Sequence, residues 1–531
     1  MRDVLGVLVA VGVSAASVVV GCGGQAGSGG AAGANSGQGG HAGSGGTSSL
    51  GGASTAPQAG SLSMAGGGQA TGGSSAGSTT GGNENGGNEN GGSAGSPVST
   101  AGQSGTLFNP PAKGNAWQFA SGDPLNSTPP ALTAFDSGVV LAGASSDLST
   151  LGLVSFPNGD TSEAFVARLD KSGAKQWSVA LLSAGLPWAI ARTGNDVVTV
   201  APYVPELTQV STSTVSKDIY LAKLGGDGAV RFETSVVFEH SDTFAYGLAV
   251  DASGAIFLAG GFLDDDPSTG FGEHVILVKC DPSGKKLWDK TFTHTGTQAT
   301  ANAVTILSSG DVVITGFFDK TLAFGAPTAT LSSKATLSGI LNGFAARFTT
   351  DGAPVWSMSF DASDFSDGTA LTSLPDGGFL LAGATAGDLT LAGKTAKVPA
   401  FTPSGPNDYP PVNAFLARLD AAGAAKWLVV DAQTRFGRAL AIDGNTVLLG
   451  GRLDTTTDSG GPVYLRTYAA DTGAALQALQ AAPGSDTASS ALAVSSGSAW
   501  VSGMFTASSD FGNGNVLTNS NAGVFLVRVD H

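Results

Sequence analysis

Apolar and polar positions alternate along Phe165-Val166-Ala167-Arg168-Leu169, the period of a strand with one face buried. Asp170-Lys171-Ser172-Gly173 follows with turn chemistry, its glycine free to take a positive φ. Gln176 to Leu181 reads as the returning strand. This hairpin recurs. Its copies start at Phe165, Tyr220, Ile276, Phe344, Phe415, Tyr464 and Phe525. In the first five copies a glycine stands eight residues after the start, at Gly173, Gly228, Gly284, Gly352 and Gly423. An aromatic stands twelve after it, at Trp177, Phe232, Trp288, Trp356 and Trp427. The sixth copy has Gly473 one residue late and Gln477 in the aromatic's place, and the seventh stops at His531 before its second half.

A second hairpin lies between these. Leu248-Ala249-Val250 turns at Asp251 to Gly254 and returns as Ala255 to Gly260, and similar returns stand near Val139–Gly143, Val197–Val200, Val312–Gly316, Phe379–Gly383, Val447–Gly451 and Ala499–Gly503. Two hairpins per unit make four short antiparallel strands in units of roughly 50 to 70 residues. Seven such units predict an all-β fold, a seven-bladed β-propeller of four-stranded antiparallel blades. A solenoid would need terminal repeats with polar outer faces. The two ends of this chain are complementary instead. The seventh copy has Phe525–Asp530 without an aromatic strand, and an orphan strand, Ala116-Trp117-Gln118-Phe119, precedes the first unit. Pairing the two would close the ring.

The core F-x-A-R/K-L/F-x-x-x-G-x-x-x-W is complete at Phe165–Trp177 and Phe415–Trp427, and a Phe-Gly pair stands between the second and third strands at Phe324-Gly325 and Phe511-Gly512. Both features resemble the SBBP-type β-propeller repeat of bacterial surface proteins, over about residues 114 to 531. The resemblance implies the fold and no particular activity.

The N-terminal segment changes the picture of location. Val4 to Val20 is uncharged and mostly apolar, and Val19-Val20-Gly21-Cys22 closes it. The layout is that of an export signal. Its last four residues resemble a bacterial lipobox, which implies cleavage before Cys22 and a diacylglycerol on its thiol. Residues 23–105 are mostly Gly, Ser, Ala, Thr, Asn and Gln, too polar to bury a core, and read as a disordered linker. Such a coil spans roughly 50 Å. The expected organisation is therefore a signal peptide and lipidated cysteine at 1–22, a linker at 23–105 and a propeller at 106–531. The expected location is the cell envelope, anchored to a membrane through the lipid.

Charge and candidate chemistry narrow the function. Acidic residues outnumber basic ones, 41 to 25, giving a net charge of −16 and excluding a general nucleic-acid partner. Cys280, left alone once Cys22 is acylated, reads as a small buried apolar group. A basic residue recurs in six of the seven copies, at Arg168, Lys223, Lys279, Arg347, Arg418 and Arg528. It reads as a side chain crossing between blades to a turn aspartate such as Asp170, Asp281 or Asp420. The recurring tryptophans read as packing anchors. Asp264-Asp265-Asp266 lacks a calcium-loop spacing, the five histidines lack a zinc spacing, and no G-x-S-x-G is present. The sequence thus assigns no catalytic residue, metal ligand or cofactor. The expectation is a non-catalytic binding or scaffold module for an envelope protein or glycan. The alternatives are a propeller enzyme cleaving polysaccharide and a structural surface module. Binding is expected on the loops between second and third strands, which are long and irregular, with Asn407, Asp408 and Tyr409 the leading candidates.

Overall fold

The computed structural model describes residues 119–121, 130–145, 163–181, 183–203, 218–239, 242–264, 272–334, 340–362, 364–398, 411–432, 434–453, 463–480, 488–495, 497–510 and 516–530. Cys22, Asn407, Asp408, Tyr409 and Trp117 lie outside them. Every regular element among the described residues is a strand. None is a helix long and apolar enough to cross a membrane.

Among the described residues the strands form seven four-stranded antiparallel sheets and two small three-stranded ones. Sheet 1 is Ala131–Phe135, Gly138–Ser145, Glu163–Asp170 and Lys175–Leu181, in sequence order. Five more repeat that order: sheet 2 within 189–236, sheet 3 within 242–291, sheet 4 within 299–359, sheet 5 within 365–431 and sheet 6 within 434–480. Sheet 7 departs from it. Its first three strands are Ala488–Ser495, Ser498–Asp510 and Val516–Asp530, and its fourth is Phe119–Ser121 from the other end of the chain. Phe119 pairs with Leu526 and Ser121 with Val524, so the two ends pair as their complementarity predicts.

Stacking of the sheets follows from their two-sided burial. Central strands such as Phe379–Ala386 are buried at every position, because apolar residues point both ways. Seven apolar clusters result, each filled from two successive sheets. One joins Leu141, Phe165 and Leu169 of sheet 1 to Trp500 and Leu526 of sheet 7. Hydrogen bonds span the same seam, among them Ser502 Oγ to Pro130 O at 2.6 Å and Ser495 Oγ to Asp136 Oδ1 at 2.8 Å. Cys280 is buried between sheets 2 and 3, where burial first and then the Asp281 charge push its thiol up to about 12.

Two of the long connections are not irregular. Thr321–Ala323 and Leu331–Ser332 form a side sheet with Thr293–Thr295, and Leu389–Leu391 and Lys394–Ala396 form another with Asp361–Ala362. The cause is apolar anchoring. Leu322, Phe324 and Leu331 are buried against sheet 4, and Leu389 and Leu391 against sheet 5. Phe324 of the Phe-Gly pair packs edge-on against Phe292, centroids 4.9 Å apart.

Candidate functional site

The outer and inner halves of the sheets use their polar groups differently. In the outer half, the recurring cation and tryptophan of one sheet converge on a single carbonyl in the next. Arg168 Nη1 and Trp177 Nε1 both donate to Gly226 O, at 2.8 and 2.9 Å. Arg347 and Trp356 both donate to Ala421 O, at 2.5 and 2.9 Å, and Arg418 and Trp427 to Ala470 O, at 2.8 and 3.0 Å. Lys279 reaches Thr350 O at 2.9 Å, and Arg528 of sheet 7 reaches Lys171 O of sheet 1 at 3.0 Å. Each acceptor lies in the turn between the third and fourth strands. The repeat glycine of that turn is needed twice. Gly423 has φ of 83°, and a Cβ there would come within 2.8 Å of Met358 Cε and 3.2 Å of Trp356.

The crossing between sheets is as the sequence predicts, but the acceptors are not. The carboxylates facing these cations belong to the turn between strands one and two of their own sheet. Lys223 lies 3.4 Å from Asp196, Arg347 Nε donates to Asp311 at 2.9 Å, and Arg418 lies 2.5 Å from Asp376. Asp170, Asp281 and Asp420 instead cap their own turns. Asp420 Oδ1 accepts from the backbone N–H of Ala422 and Ala424, at 3.0 and 2.9 Å.

The inner half is built from first strands, each adjacent to the first strand of the next sheet, with Ala488–Ser495 adjacent to Ala131–Phe135. Pairing is regular in sheets 1 and 2. From sheet 3 onward each first strand bulges near its start, at Tyr246, Asn302, Thr369, within 436–438, and at Ser490. These bulges share one end of their sheets with the second-to-third connections, including the one that contains Asn407–Tyr409. The register fixes this, because Phe365 pairs with Ala386 while Thr385 pairs with Asn413.

Bulge side chains link neighbouring first strands. Asn302 Nδ2 donates to Gly368 O and Asp367 Oδ1, both at 2.9 Å, and Thr369 Oγ1 donates to Gly437 O. Beyond Gly437, Arg438 carries its charge toward Asp367, and Phe436 holds a φ of 54° that costs a non-glycine residue conformational energy. Burial pushes Asp367 up to about 7, against the pull of Arg438 and of the Asn302 bond. From the strand that carries Asn302, Thr300 Oγ1 donates to Glu273 Oε1. Glu273 is also raised, by burial first and by the Asp319 charge, with Thr300 and His294 opposing. Burial and then Glu273 push the Tyr246 phenol up, so it stays a hydroxyl.

Glu273 adjoins a rigid bracket. His294 Nε2 lies 2.9 Å from both Asp319 O and Asp319 Oδ1, two acceptors, which places its proton on Nε2. Its Nδ1 is buried without a partner. Burial pushes Asp319 up, but the bonds from His294, from the N–H groups of Gln298 and Thr297, and from the Thr297 hydroxyl outweigh it and hold the carboxyl at about 2.

Tyr246, Glu273, Asn302 and Arg438 all keep part of their surface exposed. Tyr246 packs on Phe244, centroids 5.0 Å apart, and edge-on to Trp188 at 5.8 Å. The arrangement is two polar groups on neighbouring first strands, Asn302 with Asp367 and Arg438, and Tyr246 with Glu273, whose carboxyls are both raised by burial. The sequence does not signal it, because the bulge residue differs in every sheet. Among the described residues no group of three or more His, Cys, Asp or Glu is placed to hold a metal.

No protein-family model matches the chain, and no curated protein matches it. Solved structures do. A puromycin hydrolase mutant complexed with PGG aligns at TM-score 0.40 and 14% identity, over 74% of this chain and 53% of that one, so this chain spans about half its length. A protein of unknown function from Dyadobacter fermentans aligns at 0.39 and 11%, over 80% and 100% of the two chains. The polysaccharide lyase Uly1 aligns at 0.38 and 9%, over 75% and 89%. At these scores the likeness assigns no function.

Proposed function

We propose that the chain is an exported, lipid-anchored envelope protein whose residues 106–531 form a closed seven-bladed β-propeller of the SBBP-repeat type. We propose further that this propeller acts as a non-catalytic binding module. The repeat spacing, the sheet-to-sheet clasps and the pairing of Phe119–Ser121 with Val516–Asp530 support the closed ring. Val19-Val20-Gly21-Cys22 supports the anchor at Cys22. The observation that carries the binding role is the set of unlike polar side chains at the bulged ends of the sheets, Tyr246, Glu273, Asn302, Asp367 and Arg438, inside an otherwise repetitive frame. Repetition serves packing, and departures from it concentrated at one end of five sheets serve something else. Asn407, Asp408 and Tyr409, on a connection leaving that same end, are proposed as a flanking contact.

One observation favours a second reading, a polysaccharide-cleaving enzyme. A carboxyl raised to about 7 is poised for general acid or base work. Both readings are tested with the full chain in detergent, used to capture envelope proteins and glycans, with Asn302→Ala and a Gly-Ser replacement of 402–411 as variants. Capture lost in either folded variant, with the captured glycan left intact, supports binding. Shortening of the glycan, abolished by Asp367→Asn, replaces it with the enzyme. Cys22→Ser is expected to move the protein from the membrane fraction to the soluble one, and persistence at the membrane would refute the anchor.

A further inference from the structure

The seams between sheets are not all closed alike on the outside. Five successive seams carry an aromatic of one sheet's fourth strand over the turn glycine of the next: Trp177 on Gly228, Phe232 on Gly284, Trp288 on Gly352, Trp356 on Gly423 and Trp427 on Gly473. The seam of sheets 7 and 1 has Arg528 on Lys171 O. The seam of sheets 6 and 7 has neither part among the described residues. Thr467 stands in the cation's place and turns back to its own sheet, its hydroxyl accepting from the Gln477 N–H at 3.0 Å. Gln477, in the aromatic's place, is exposed, and so is Leu476 beside it, at 55%. Successive strand residues point to opposite faces, so the start of this strand is uncovered on both.

The receiving half is missing too. A clasp lands on the turn between the third and fourth strands of the next sheet. In sheet 7 those strands are Val516–Asp530 and Phe119–Ser121, with sheets 1 to 6 between them along the chain, so no turn joins them. A cation and an indole in the sixth copy would have no such carbonyl to meet, which accounts for their loss.

What holds this seam is central and inner. Leu448 and Leu465 of sheet 6 pack on Val501, Phe525 and Val527 of sheet 7. Each aromatic of sheets 1 to 5 joins the apolar cluster at its own seam, but no described fourth-strand residue joins this one. Nearer the first strands, the Gly497 N–H donates to Asp443 Oδ2 at 2.7 Å. The first strand of sheet 6 is itself interrupted over 436–438, where those of sheets 3, 4, 5 and 7 each skip a single residue. Sheet 7 is tied to sheet 1, by contrast, through Trp500, Leu526 and the Ser502 and Ser495 bonds. Packed units part first where apolar contacts and bonds are fewest.

We infer that the seam of sheets 6 and 7 is a hinge built into the array. The outer edge of sheet 6 parts from sheet 7 before any other neighbouring sheets separate, while their first strands stay together and sheet 7 stays on sheet 1. The motion bares the facing sides of Leu465 and Val501 and leaves the pairing within each sheet intact. It requires neither the lipid anchor nor a ligand.

The test is native-state labelling with N-ethylmaleimide on the full chain in detergent. Val139, Val312, Val447 and Val501 lie in the second strands of sheets 1, 4, 6 and 7, and none is more than 2% exposed. They face, in that order, the seams of sheets 7 and 1, 3 and 4, 5 and 6, and 6 and 7. Each is replaced singly by Cys, together with Cys280→Ser, and labelling is read at that position by mass spectrometry. Val501→Cys is expected to react about tenfold or more faster than the other three. Adding Trp427→Ala, which strips the clasp between sheets 5 and 6, should raise Val447→Cys to about the rate of Val501→Cys and leave Val312→Cys unchanged. Thermal melts confirm that each variant is folded. Ala499→Cys, buried at the same seam, takes the place of Val501→Cys if that variant melts early. Equal rates at all four positions, which global unfolding would produce, overturn the inference. So does fastest labelling at Val139→Cys, which would put the opening at the paired ends of the chain.

Discussion

The outer clasps and the inner bulges are two solutions to one problem, holding sheet to sheet. The clasp repeats the same atoms: a cation and an indole N–H on one carbonyl, over a glycine with no Cβ to obstruct the ring. The bulges repeat the geometry and vary the chemistry, with Tyr246, Asn302, Thr369 and Arg438 at corresponding places. A position freed from repetition is available for specificity. A position held to it serves stability.

Breaking the outer frame should have the largest effect. Deleting Val524–His531 removes the segment that pairs with Phe119–Ser121 and takes Leu526 out of the apolar seam between sheets 7 and 1. Cooperative thermal unfolding is expected to be lost or to shift down by roughly 10 °C or more. An unchanged melt would show that the terminal pairing contributes nothing and would remove the support for a closed ring. Trp427→Ala comes next. Trp427 is buried, donates to Ala470 O and lies over Gly473, so its truncation should cost about 3–5 kcal/mol by chemical denaturation. Ligand capture by the protein that remains folded should be unchanged, and a parallel loss of capture would mean that the two regions are not separable.

The inner region should respond to pH in a way the outer one does not. Asp367 is raised from 3.8 to about 7, so the folded state holds a proton that the unfolded state releases across that window. Stability should therefore fall as pH rises from about 4 to 7 and level off above it. Asp367→Asn should abolish this component and make the variant more stable than the parent at pH 8, by a few kcal/mol at most. Identical pH profiles for the two proteins would show that Asp367 ionises normally. The smallest effect is expected from Arg418→Met, which loses the bonds to Ala470 O and Asp376 and should cost about 1–2 kcal/mol at any pH between 6 and 8.

What was legible in the sequence follows the same division. Gly423 and Trp356 stand at fixed offsets in their own copies, and they reveal the repeat because each copy's glycine must fit the preceding copy's aromatic. Strand positions, the four-strand unit and the complementary ends could be read for the same reason. The acceptors of the basic residues could not, since Asp376 and Ala470 are 42 and 52 residues from Arg418 and no local spacing records the contact. The bulge side chains are hidden twice over. A bulge interrupts the two-residue period by which strands are recognised, and Asn302, Thr369 and Tyr246 share no residue type. The side sheets read as irregular loops in the sequence because Leu322, Leu331 and Leu389 are too widely spaced to signal strands, although each is buried.

The pairing of Phe119 with Leu526 also orders events in time. A chain that emerges from the ribosome or an export channel N-terminus first must leave Phe119–Ser121 unpaired until Val524–Leu526 are free. Until then sheet 7 lacks its third strand, and sheet 1 lacks the wall that Trp500 and Leu526 provide. The seam thus reports on its own third strand: a product truncated before Val516 keeps a ragged, apolar gap beside sheet 1, open to proteases and chaperones.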